Sequence, residues 1–76
     1  MKLKDLLKVT DQFTQLAIFY EEIKDGFTFK MFGGSVEEAE KHLDRYEKEY
    51  EVNYASLKTD SKTLAPVLMI IVDKGE

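Results

Sequence analysis

The sequence is short of the residues on which most small catalytic and metal-binding domains depend. It has no cysteine, no tryptophan and a single histidine, His42, among 76 residues. Without cysteine, a disulfide framework, a thiolate zinc site and a thiol nucleophile are all excluded. A lone histidine supplies one ligand where a zinc site needs three or four. We therefore expect no metal, no cofactor, no catalytic residue and no enzymatic activity.

The sequence also has no long hydrophobic run. The longest apolar stretch, Leu64 to Val72, is nine residues with a proline inside it, which is too short to cross a bilayer as a helix. The basic start, Met1 to Lys4, is not followed by the apolar segment of a signal peptide. These features favour a cytoplasmic protein that makes no contact with a membrane.

Negative charge is in excess, and the excess is confined to one segment. Residues 33–51 hold seven carboxylates and three basic residues, whereas residues 1–32 and 52–76 each hold equal numbers of both signs. The net charge of −4 therefore comes entirely from residues 33–51. This sign is wrong for binding the phosphates of a nucleic acid.

Hydrophobic periodicity divides the chain into six elements of one small domain, residues 1–76. Leucines at i, i+3 and i+4 indicate a short helix at the start, and Asp25-Gly26 indicates a hairpin turn between two strands. The predicted elements are a helix over Lys2–Val9, strands over Phe13–Ile23 and Phe27–Phe32, a helix from Val36 to about Glu51, and strands over Val52–Thr59 and Pro66–Asp73.

The order α-β-β-α-β-β predicts an α+β fold with one four-stranded sheet. The fourth strand is apolar at every position from Val67 to Val72, which is typical of a strand buried on both faces. The first strand is the next most apolar. We therefore expect the strand order 2-1-4-3, with both helices on one face of the sheet and the other face partly open.

The predicted helix from Val36 to about Glu51 carries a row of acidic side chains. Ser35 and Glu38 form a capping-box pattern at its start, and its apolar stripe comprises Val36, Ala39, Leu43, Tyr46 and Tyr50. At about 100° per residue, one continuous arc beside this stripe holds five carboxylates, here called the acidic ridge: Glu37, Glu40, Asp44, Glu47 and Glu51.

Two interpretations of the acidic ridge remain open from the sequence. It could dock on the basic surface of a partner protein, in effect imitating phosphates. It could equally be a solvated helix face whose carboxylates meet Lys2, Lys4 or Lys8 of the first helix. The functional interpretation is a non-enzymatic protein-binding accessory protein, which in its sharpest form inhibits or titrates a basic host protein.

A nucleic-acid-associated protein is the alternative function. Phe27 and Phe29, with Tyr20 and Tyr54, could form a stacking platform on an open sheet face. The acidic net charge argues against this platform. We therefore expect nucleic acid to be the less favoured partner.

Both ends of the chain resemble a known group of proteins. The opening residues 2–11 (KLKDLLKVTD), with Thr14 and a short apolar strand after them, resemble small prophage and mobile-element proteins of low-GC Gram-positive bacteria. Those proteins also tend to end in an apolar strand such as residues 68–72 (LMIIV). Because they generally have no assigned activity, the resemblance implies a phage or mobile-element setting and no particular chemistry.

Self-association follows from the predicted strand order. The order 2-1-4-3 leaves the second and third strands at the edges of the sheet, and unprotected edges invite pairing with another chain. Lys30 and Lys58 lie on these strands, and their charges discourage such pairing only in part. We expect a homodimer, joined by an edge strand or by the uncovered aromatic face of the sheet.

Overall fold

A computed structural model describes residues 1–22 and 24–74 of the chain. Its elements are α1 (Leu3–Val9), β1 (Gln15–Glu22), β2 (Phe27–Ser35), α2 (Val36–His42), α3 (Arg45–Lys48), β3 (Glu51–Thr59) and β4 (Pro66–Asp73). The predicted α+β class is confirmed. Ile23, the predicted last residue of the first strand, lies outside the described residues.

The four strands form one mixed sheet in the order β2-β1-β4-β3, which confirms the predicted order. β1 and β4 lie parallel at the centre, where Ile18 pairs with Ile70. β2 and β3 each pair antiparallel with a central strand, and they form the two edges. Ile18 and Ile70 have no exposed surface, and burying a side chain of this size contributes about 1.5–3 kcal/mol.

The hydrophobic core lies between the helices and one face of the sheet. Along β1, burial alternates, so Leu16, Ile18 and Tyr20 point to this face. α1 contributes Leu3 and Leu7, and the segment after β2 contributes Val36, Ala39 and Leu43. The helices therefore share one face, as predicted, and the opposite face carries none of the core residues.

The single helix predicted from Val36 to about Glu51 is wrong. α2 ends at His42, Leu43 is extended at φ −76° and ψ 136°, and a separate helix, α3, begins after Asp44. Asp44 accepts from the backbone N–H of Glu47 at 2.8 Å, and Glu47 accepts from the N–H of Asp44 at 2.9 Å. This second capping box satisfies two backbone donors that a continuous helix would have bonded internally.

The break changes which side chains of the predicted apolar stripe are buried. Val36, Ala39 and Leu43 reach the core, but Tyr46 is 70% exposed and contacts the guanidinium of Arg45 at 5.5 Å. Tyr50 packs against the edge of the core. The extended backbone at Leu43 interrupts the 3.6-residue period, so a stripe counted through it does not stay on one face.

The first capping box fixes the end of β2 as the sequence predicts. Ser35 Oγ accepts from the N–H of Glu38 at 3.2 Å, and the Glu38 carboxylate accepts from the N–H of Ser35 at 3.0 Å. Gly34 lies just before, at φ +152°, where a Cβ would meet Glu38 Oε1 at 3.0 Å. A side chain at Gly34 would therefore displace the cap.

The two capping boxes allow a direct stability test. We expect Asp44→Ala to lower the free energy of unfolding by about 0.5–2 kcal/mol, as Ser35→Ala should, because each removes a helix cap. Asp44→Asn keeps an oxygen acceptor and should cost much less. Denaturant melting measures all three. An Asp44→Ala variant as stable as the parent would show that the cap does not hold the break between α2 and α3.

Candidate functional site

The five residues of the acidic ridge do not lie on one helix. Glu37 and Glu40 are on α2, Asp44 lies in the break, Glu47 is on α3 and Glu51 is the first residue of β3. Glu37, Glu40 and Asp44 are exposed, whereas Glu47 and Glu51 are partly buried. The ridge is therefore an interrupted acidic surface that follows two short helices onto the sheet edge.

Each carboxylate of the acidic ridge has a partner within the chain. Lys41 lies 3.5 Å from Glu37, and Lys48 lies 3.7 Å from Glu40. Asp44 and Glu47 cap α3, and the α-amino group of Met1 lies 3.3 Å from Glu51. Exposed ion pairs of this kind are worth about 0–1 kcal/mol, so a partner can displace them at little cost.

The lysines of the N-terminal segment neutralise a different carboxylate. Lys2 and Lys4 lie 3.2 Å and 2.6 Å from the two oxygens of Glu49, which is outside the acidic ridge. The hydrogen bond from Lys4 lowers the pKa of Glu49, with a further contribution from Lys2. The same hydrogen bond raises the pKa of Lys4. These contacts join α1 to the end of α3.

This cluster predicts a small acid-sensitive contribution to stability. Because the pKa of folded Glu49 lies below its ordinary value of 4.5, its contribution is present above that value and disappears as the pH falls through the lowered one. Glu49→Gln should therefore be less stable than the parent at neutral pH, and the two should converge in acid. Urea melts across this range measure the difference. The control Glu21→Gln, on the opposite face of the sheet, should show no such convergence.

An aromatic row crosses the helix side of the sheet where β1 ends. The ring centroids of Tyr20 and Phe29 are 5.3 Å apart, those of Tyr20 and Tyr50 are also 5.3 Å apart, and Phe27 stacks on Phe29 at 6.0 Å. Tyr20 is buried, but Phe27 and Phe29 are 47% and 48% exposed. The short helices leave this end of the sheet uncovered.

A cleft of about 240 Å³ opens in this row, here called the aromatic cleft. It is lined by Tyr20, Glu22, Phe29, Met31, Glu47, Tyr50 and Lys74. The hydroxyl of Tyr20 donates to Glu22 at 3.3 Å. Burial, and then the nearby charge of Glu22, raise the pKa of Tyr20, so its ring stays neutral. The cleft thus combines aromatic surface with two carboxylates and one ammonium group.

The stacking platform considered for nucleic acid is divided between the two faces of the sheet. Tyr20, Phe27 and Phe29 lie on the helix side, because Tyr20 pairs with Phe29 and Glu22 with Phe27. Tyr54 pairs with Ile71, on the opposite side. The four rings therefore do not form one surface on which successive bases could stack.

The face of the sheet opposite the helices is apolar at its centre. It presents Ala17, Phe19, Met69, Ile71 and Tyr54.

The two edge strands differ in how far they are covered. β3 is partly covered where Val52 donates to the carbonyl of Met1 at 2.8 Å, whereas β2 has β1 as its only neighbouring strand within the described part of the chain.

The homodimer stays a prediction, and sedimentation equilibrium tests it. At high micromolar concentration we expect a mass of twice 8.8 kDa, because a free edge strand and an uncovered apolar face both favour self-association. The mass should fall toward that of one chain on dilution. A single chain at high micromolar concentration would contradict the prediction.

A metal-binding cluster and a membrane-spanning helix are both absent from the described residues. Among residues 1–22 and 24–74, no three His, Asp or Glu side chains lie close enough together to hold a metal ion. In the same part of the chain, no helix is long and apolar enough to span a membrane. His42 is exposed, and its ring centroid lies 6.4 Å from that of Phe32.

No family model, curated protein or solved structure matches this chain.

Sequence reasoning missed the aromatic cleft. It considered Phe29 only as part of a stacking platform on an open sheet face and left Glu22 without a role. Two signals were available: Glu22 follows Tyr20 at the strand period of two, and Asp44-x-x-Glu47 is a capping pattern inside the supposed helix. The second signal predicts a helix too short to cover the end of the sheet.

Proposed function

We propose that this protein is a non-enzymatic, protein-binding accessory protein that recognises a basic segment of its partner. The proposal is carried by one observation: half-exposed aromatic rings lie beside the carboxylates of Glu22 and Glu47 on the helix side of the molecule. Aromatic side chains are enriched where proteins bind one another, and the net charge of −4 complements a basic partner.

The acidic ridge has a supporting role in this proposal. Glu37 and Glu40 are exposed, and their ion pairs with Lys41 and Lys48 are long, at 3.5 and 3.7 Å. Exposed charges of this kind mainly steer a charged partner and set the association rate. Glu47 belongs both to the ridge and to the aromatic cleft, so the two features form one continuous surface.

The setting that we propose is cytoplasmic and phage-borne or carried by a mobile element, where such a protein would inhibit a basic host protein. The resemblance of the chain ends to small prophage proteins supports the genetic setting. A nucleic-acid partner is less favoured, because the acidic charge repels phosphate and the exposed aromatic rings lie on two different faces.

A defined basic peptide tests this function. A flexible peptide of lysine, arginine and glycine should bind the chain, and binding should weaken steeply as salt rises past about 0.15 M. The double variant Glu37→Gln/Glu40→Gln should lower the association rate several-fold and leave the dissociation rate nearly unchanged. Stopped-flow mixing, followed by tyrosine fluorescence, separates the two rates.

Two controls make the result specific. Glu21→Gln removes one negative charge from the opposite face and should leave both rates as in the parent. A peptide with glutamate in place of the basic residues should not bind. Equal binding of both peptides, or binding that does not change with salt, would contradict a basic-segment receptor.

A further inference from the structure

The size of the aromatic cleft fits one long side chain. Its volume is about 240 Å³. Pockets for drug-sized ligands are larger, at about 300–1,000 Å³. The cleft is also open to solvent, and Phe29 in its lining is half exposed, so a side chain can enter it from a partner's surface.

Three aromatic rings, those of Tyr20, Phe29 and Tyr50, line the cleft. Tyr20 and Phe29 are tilted by 36°, and Tyr20 and Tyr50 by 53°. Phe29 keeps 48% of its surface exposed. A cation within about 6 Å of such a ring centroid is attracted to the ring.

The carboxylates of the cleft come from two separate elements. Glu22 ends β1, and its carboxylate accepts a single hydrogen bond, from Tyr20, within the described part of the chain. Glu47 uses Oε1 to cap α3 at 2.9 Å and keeps Oε2 available for a ligand. Neither carboxylate is paired with a cation among residues 1–22 and 24–74, which distinguishes them from Glu37, Glu40 and Glu49.

We propose that the aromatic cleft binds the guanidinium group of an arginine side chain presented by the partner protein. This inference rests on the proposed function and adds the residue that is recognised. A guanidinium is planar, stacks on aromatic faces, and offers forked N–H donors to carboxylates such as Glu22 and Glu47. An ammonium is a compact, strongly hydrated charge, and it gains less from the ring faces.

Lys74 allows a test in which the variant should bind arginine more tightly than the parent. It lies on the rim of the cleft and is exposed, so its ammonium group repels an incoming cation. Removing that charge should strengthen binding of arginine. A gain in affinity cannot be produced by partial unfolding of the variant.

The experiment compares two peptides that differ only in the basic residue. Alternating arginine–glycine and lysine–glycine peptides are titrated into the ¹⁵N-labelled chain, and methylguanidinium chloride is titrated separately against sodium chloride at equal ionic strength. We expect the arginine peptide to bind more tightly, and methylguanidinium to shift the amide signals of Tyr20, Glu22 and Phe29.

Matched variants place the site within the fold. Phe29→Ala and Glu22→Gln should each weaken the arginine peptide by about threefold to thirtyfold, and Glu47→Gln should do so while keeping the cap, because glutamine also serves at that position. Tyr54→Ala and Glu21→Gln remove an aromatic ring and a carboxylate from the opposite face and should leave the affinity for the arginine peptide unchanged. Lys74→Ala should tighten binding.

The outcomes separate this inference from the proposed function. If both peptides bind with equal affinity, and Phe29→Ala and Glu22→Gln bind as the parent does, the arginine site is overturned while a basic-segment receptor stands. If neither peptide binds, the proposed function fails and the arginine site fails with it. Methylguanidinium shifts in the absence of peptide binding would show an isolated cation site and would also overturn recognition of a partner.

Discussion

The parallel pairing of β1 with β4 is the constraint on which the rest of the structure depends. It joins two hairpins that are distant in the sequence, and it buries Ile18 against Ile70 at the centre of the sheet. Because parallel strands run in the same direction, β1 and β4 end at the same edge. Glu22 and Lys74 therefore meet at one end of the molecule, and the aromatic cleft lies between them.

The short helices decide how much of that end is covered. A continuous helix of the predicted length would span about 24 Å at 1.5 Å per residue, which is enough to cross most of the sheet. The capping box of Asp44 and Glu47 divides it, and Lys48 reaches back to the carbonyl of Glu40 at 2.8 Å. The chain then turns into β3 and leaves Phe29 half exposed. One local preference for a cap thus creates the opening of the cleft.

Several carboxylates of the helical segment are already weakly paired with lysines. Glu49 holds Lys2 and Lys4, and this cluster ties α1 to α3. The ion pairs of Glu37 and Glu40 are exposed, and water and salt screen them. A basic partner can exchange these pairs for its own at little cost, whereas Glu22 and Glu47 have no cation to give up among the described residues. In the proposed function, the ridge therefore attracts the basic partner and the cleft holds it.

The sequence by itself determined the first helix, the four strands, the strand order and the first cap. The apolar run at Val67 to Val72 and the Ser35-x-x-Glu38 pattern are local signals strong enough to place a central strand and a helix start. The exposure of Phe29 was decided only by the tertiary structure. Whether a residue is buried depends on which element packs above it. The alternating sequence pattern around Phe29 is the same whether a helix covers this residue or ends one turn before it. The acidic ridge does not keep to one helix, because an arc counted at 3.6 residues per turn holds only while the helix continues.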